Sequence, residues 1–128
     1  DDAVCAVRSA LEEGIIPGGG LALYEESLRY DRNSESVAER IMYQALRAPI
    51  IQILENAGLK LEDVYNFTSE HYGHGYDVKN NIVGDMYQLG VIDPLKVTKN
   101  ALQNAVSVAV TILSTNAIIT MARTYEDK

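Results

Sequence analysis

The stretch "EEGIIPGGGLAL", residues 12–23, sets three consecutive glycines between two segments of helical periodicity. Glycine loses more backbone freedom on ordering than any other residue, so a run of three is costly unless bare main chain is needed there. The chain must fold so that something closely approaches residues 18–20. Two nucleotide motifs that use such glycines fail on spacing. A dinucleotide fingerprint starting at Gly18 demands glycine at position 23, where Leu23 stands, and the preceding segment has a helical period. A phosphate loop demands glycine followed by lysine, and no glycine in the chain has lysine after it. What remains is a tight turn with bare backbone at the N-terminus of the second helix, where free N–H groups can meet a ligand. Turn geometry plus close helix packing also accounts for the run by itself.

On either side the sequence reads as helix. Ala3, Val4, Val7 and Leu11 recur at helical spacing, which predicts a helix over 3–13 closed by a left-handed Gly14. Leu21, Tyr24 and Leu28 predict a second helix to about Tyr30, with a loop at 31–34. Ser36 and Glu39 form a capping-box pattern ahead of the stripe Val37, Ile41, Ala45. Pro49 cannot donate to residue 45, so the helix kinks or restarts there, and Ile50, Ile53, Leu54 and Ala57 carry the stripe to Gly58. Leu61 to Phe67 is a shorter helical segment, and "EHYGHGYD" at 70–77 reads as loop or short hairpin. Asp93 as N-cap and Pro94 at the first helical position start a helix. Its wide apolar face, Leu102, Ala105, Val106, Ala109, Ile112 and Leu113, predicts the central and best-buried element. The β-branched run "TNAIITMA" at 115–122 predicts a C-terminal strand paired with another chain or with a missing part of this one. The expected fold class is mainly α and multihelical, with a loop or hairpin near 70–78 and a strand near 115–122.

Charge and composition narrow the function. Eleven basic residues against eighteen acidic give 11 − 18 = −7, with no basic cluster, so nucleic acid would be repelled. At 128 residues and 47% hydrophobic, one domain with a real core is expected. Apolar runs fall short of a membrane span, and no basic-then-apolar leader opens the chain, which reads as soluble and not secreted. Starting at Asp1 directly in helical periodicity, it looks like a fragment of something longer. The single cysteine, Cys5, reads as a small buried helix residue. His71 and His74 lack a third ligand at metal spacing, so no metal site is expected. No nucleophile signature supports acyl transfer.

The motifs in order carry more than any one of them. "DDAVCAVRSALEEGIIPGGGLAL", then "GYD" at 75–77, then "GVIDPLKVTKNALQNA" at 90–105, resembles the C-terminal part of a GroEL-type (group I) chaperonin along essentially the whole chain. The resemblance implies that residues 1–14 leave the intermediate domain and that 15–128 form the later half of the helical equatorial domain, which binds ATP and holds a double ring together. It places Gly19 on the ribose side of the nucleotide with Gly18 beside it, and Asp93 as the carboxylate that accepts from the ribose hydroxyls. Tyr76, Asp77, Val78 and Lys79 match the loop around the adenine, Ile53 and Val91 its apolar contacts, and Asp2 the acid that orients the attacking water. Phosphates and Mg2+ are then held mainly by a missing N-terminal half. The partners implied are other subunits of a homo-oligomer, plus a co-chaperonin lid and unfolded clients bound through a missing apical domain. Val78 and Lys79 are larger than that loop usually carries, which keeps open a non-catalytic helical scaffold or oligomerisation module.

Overall fold

The computed structural model describes residues 1–65 and 72–115. Helix α1 (Asp2–Glu13) runs into strand β1 (Ile15–Pro17), then α2 (Leu21–Ser27), α3 (Val37–Ala45), α4 (Ala48–Asn56) and α5 (Leu61–Tyr65). Strands β2 (His74–Asp77), β3 (Ile82–Asp85) and β4 (Ile92–Pro94) precede α6 (Leu95–Ser114). The strands form two separate antiparallel pairs, β1 with β4 and β2 with β3. Among the described residues no helix is long and apolar enough to cross a membrane.

Local signals hold where they were strongest. The Ser36 hydroxyl accepts from the Glu39 N–H at 3.5 Å and caps α3. Pro49 sits in the first turn of α4, which restarts as expected because an N–H is dispensable there. The segment at 70–77 contributes β2, and the hairpin extends through β3, which the sequence reading did not include. Asn81 turns it with φ 54°, a left-handed conformation that asparagine tolerates. Leu21, Ile50, Leu54, Val64, Tyr65 and Met86 make one buried cluster where α2, α4, α5 and the hairpin meet.

Several expectations are corrected. Gly14 has φ 90° but ψ −170°, so it extends the chain into β1 while its N–H still bonds Ala10 O at 2.8 Å. The second helix ends at Ser27, and Leu28 to Tyr30 tighten into i→i−3 bonds. Asp93 is not an N-cap: it lies in β4, and Pro94, with ψ 127°, takes the cap position. The ladder to β1 holds it extended. No residue of α6 is buried, and Val106, Val108, Val110, Ile112 and Leu113 are exposed. A stripe specifies which face is apolar, not what meets it, and the described residues pack α6 mainly on α1 and β4. Likewise Val4, Val7 and Leu11 of α1 are exposed, and Ala6, Ser9 and Ala10 are its half-buried positions. Cys5 is exposed. The helical segment at 61–67 is described only as Leu61–Tyr65, and residues 116–122 of the expected strand lie outside the described residues.

Candidate functional site

Strand β1 enters the glycine run, and β4 follows a turn that ends at Gly90. Their pairing sets Ile16 opposite Asp93 and Pro17 opposite Ile92. One residue further the Gly18 N–H donates to Val91 O at 2.9 Å, so the glycines and the segment 91–93 are locked side by side.

Each glycine is bare for its own reason. A Cβ on Gly18 would lie 3.1 Å from Ile92 N and Val91 C, both main-chain atoms of the facing segment. A Cβ on Gly20 would lie 2.8 Å from Ile50 N, which binds the run to α4. Gly19 has room, with Met86 Cε at 3.4 Å and Val91 Cγ1 at 3.8 Å, but its φ of +67° disfavours other residues. Packing within the chain therefore excludes a side chain at Gly20 without a shift of α4 and crowds one at Gly18 against the segment 91–92, and Gly19 is the least crowded of the three.

Asp93 is half-buried, and among the described residues no donor reaches its carboxylate. Burial alone pushes its carboxyl above the ordinary value of 3.8. A carboxylate withdrawn from water without a partner is costly unless a bound group supplies the donors. Val91, half-buried and two residues before this acid, has its Cγ1 3.8 Å from a Cβ placed on Gly19.

The hairpin residues divide by side chain. Asp77 is buried, and its carboxylate accepts from Lys79 N–H at 2.9 Å, Asn80 N–H at 3.3 Å and Asn80 Nδ2 at 2.6 Å. The Asn80 side chain first, then the two N–H groups, hold its carboxyl below the ordinary range against the effect of burial. Asp77 thus shapes the turn, and its side chain is spoken for. The Tyr76 hydroxyl donates to Asn81 Oδ1 at 3.0 Å, and Tyr76 and Val78 pack against the buried cluster. Lys79 is exposed. Ile53 is half-buried on α4, three residues beyond the Ile50 backbone that abuts Gly20.

Gly18, Gly19, Val91 and Asp93 are brought together directly, Tyr76 and Val78 are joined to them through the core, and Ile53 is placed only by its position on α4, outside the buried cluster. Asp2 stands apart: it is exposed in the first turn of α1, a 12-residue helix about 18 Å long, whose other end leads into β1. Among the described residues no group of three His, Cys, Asp or Glu could hold a metal, and His71 lies outside them. Sequence reasoning missed β1 and Met86, whose carbonyl accepts from Val91 N–H and whose side chain backs Gly19 and Gly75. The β-branched pair Ile15–Ile16 ahead of a proline was the available signal for a short edge strand.

Residues 1–123 match the family model described as the TCP-1/cpn60 chaperonin family. The chain belongs to that family. It is 41% identical over 127 residues to the protein named Chaperonin GroEL from Orientia tsutsugamushi, in both the Boryong and the Ikeda strains, covering 94% of this chain and 23% of each relative. A solved structure titled as a group III chaperonin in the open state superposes with a TM-score of 0.74 at 29% identity, covering 87% of this chain and 25% of that one. The chain thus spans about a quarter of the length of these relatives. Its fold is mainly α with small sheets, like part of a chaperonin equatorial domain.

Proposed function

We propose that this chain is the C-terminal part of a group I, GroEL-type chaperonin that hydrolyses ATP to assist protein folding in the cytoplasm. Residues 1–14 are the exit from the intermediate domain, and 15–128 are the later half of the equatorial domain. Assembly is with like subunits in a double ring, and the lid and client proteins are engaged through parts of the parent beyond this chain.

The observation that carries the reading is the half-buried Asp93 carboxylate, without a donor among the described residues, on the strand paired beside the glycine run. An ionised carboxylate is acceptor-only, which suits two vicinal ribose hydroxyls. Gly19 offers the open main chain beside it, while Val91 and Ile53 offer apolar contact to a base. At the hairpin, contact with the base comes from main chain and from Tyr76 and Val78, since the Asp77 side chain is committed to its own turn. These groups fit the adenosine end of ATP; phosphate and Mg2+ contacts are assigned to the parent's N-terminal half. ATP, when bound, supplies the phosphoryl group that is transferred to water. Asp2 accepts a hydrogen bond from that water and orients it, a role that requires α1 to bring it to the phosphate. The last turn of α1 is tied to α6 by the Lys96–Glu12 and Lys99–Glu13 ion pairs and by Leu95 N–H bonding Gly14 O at 3.1 Å.

The test is nucleotide affinity of the full-length parent against its Asp93→Ala variant. Loss of bonds to a charged acceptor should weaken ATP binding by roughly 10- to 100-fold. Equal and negligible affinity in both proteins would overturn the ATP site and favour the non-catalytic scaffold.

A further inference from the structure

The hairpin that carries residues 76–79 does not stand on its own; three contacts fasten it to the helices behind it. At its base, Glu25 of α2 is half-buried and accepts from the Gly73 N–H through Oε1 at 2.5 Å. Gly73 O in turn accepts from Met86 N–H at 2.9 Å, so Glu25 grips the point where the two sides of the hairpin close. One residue into β2, a Cβ on Gly75 would lie 3.0 Å from Leu21 Cδ2 and 3.1 Å from the Met86 side chain, which shows how tightly the strand is pressed on α2. At the next residue the main chain of Tyr76 lies at the hydroxyl of Tyr65, the last residue of α5. Tyr65 is 7% exposed, and its ring lies against Tyr24 of α2 with centroids 4.9 Å apart. Burial pushes its phenol up to about 12, so it stays neutral. None of Glu25, Tyr65 or Tyr24 belongs to the motifs that carry the family resemblance at the hairpin.

We propose that Glu25 and Tyr65 are positioning residues for the adenine side of the nucleotide site, setting the strand from which Tyr76, Asp77, Val78 and Lys79 approach the base. The inference rests on the ATP-site reading above. The strand ends only one residue after the Tyr65 contact, so a displacement at Gly73 or Tyr76 passes directly into the turn. Misplacement of about 1 Å is enough to weaken a bound-state contact without touching the reacting groups.

The test is steady-state ATP hydrolysis by the full-length parent carrying Glu25→Leu, Glu25→Gln, Tyr65→Phe or Asp93→Ala. Glu25→Leu removes the acceptor, and Tyr65→Phe keeps the ring while removing the hydroxyl. Each should raise KM for ATP about three- to tenfold with kcat unchanged. Glu25→Gln retains an acceptor oxygen and should restore most of the loss. KM values within about twofold of wild type in Tyr65→Phe and Glu25→Leu, with Asp93→Ala impaired, overturn the positioning role alone. A parallel fall in kcat, or no rescue by glutamine, overturns it in favour of a general structural role. Should Asp93→Ala leave KM unchanged, the nucleotide site itself is refuted and this inference falls with it. If Glu25→Leu does not fold, Tyr65→Phe decides by the same criteria.

Discussion

Replacing Gly20 by alanine should cost much more stability than replacing Gly58, although the two backbones are nearly identical in φ, +78° and +75°. The left-handed conformation alone costs an L-residue about 1–2 kcal/mol, and that part is common to both sites. At Gly58 nothing lies within 4 Å of the added Cβ. At Gly20 the Cβ would meet Ile50 N at 2.8 Å, Ile50 Cα at 3.0 Å and Ile50 Cβ at 3.1 Å, where ordinary contact begins at 3.4 Å. These are main-chain atoms and the root of a side chain, so no rotamer change relieves the overlap; α4 must move. Ile50 is 1% exposed at the centre of the buried cluster, and such overpacking costs about 1–3 kcal/mol. The expected losses are about 1–2 kcal/mol for Gly58→Ala and about 2–5 kcal/mol for Gly20→Ala. Urea unfolding followed by far-UV circular dichroism reads the difference as a midpoint separation on the order of 1 M. Losses within about 0.5 kcal/mol of each other would refute the claim that contact with α4 keeps position 20 bare.

Two further perturbations test the carboxylates. Asp93 has a folded-state pKa raised by burial, so its ionisation opposes folding: the penalty is full above the folded value and vanishes as pH falls below 3.8. Asp93→Asn should therefore raise the melting temperature at pH 7, lose that advantage near pH 3, and weaken ATP binding in the parent; a destabilised Asn variant at pH 7 would mean the acid has a structural partner. Asp77 is the opposite case, depressed below 3.8 by Asn80 and the turn N–H groups, so its stabilisation is present above 3.8 and lost as pH falls through the lower folded value. Asp77→Ala should speed hydrogen exchange at the Lys79 and Asn80 amides while leaving those of α4 protected; unchanged exchange at both would remove its role in the turn.

Elements whose cause is local were legible from residue order. The Ser36 cap, the restart at Pro49 and the stripe Ile50–Leu54 need only neighbours within a turn or two, and they fall where the spacing put them. Asp93 shows the limit: Asp-Pro is a good helix start on local grounds, yet the distant strand Ile15–Pro17 holds it extended and removes it from the cap. The apolar faces of α1 and α6 were visible as faces, but periodicity carries no information about the surface opposite, and both remain largely exposed among the described residues. The chemistry of the candidate site was legible only because three motifs in order resemble a known family; no single spacing pointed to it. Glu25 and Tyr65 gave no sequence signal, because an acid and a tyrosine on short helices acquire meaning only from what they touch.

By itself the amino-acid order determined the Ser36 cap, the helix restart at Pro49 and that main chain at 18–20 must be closely approached. Those outcomes follow from backbone entropy, capping and side-chain period, all short-range. Tertiary structure decided what approaches it: Val91 and Ile92 against Gly18, Ile50 against Gly20, with Asp93 left half-buried nearby and, among the described residues, without a donor. Pairing of segments so far apart in the chain is chosen by the joint burial of the core and the closure of the ladder, and no local window contains either.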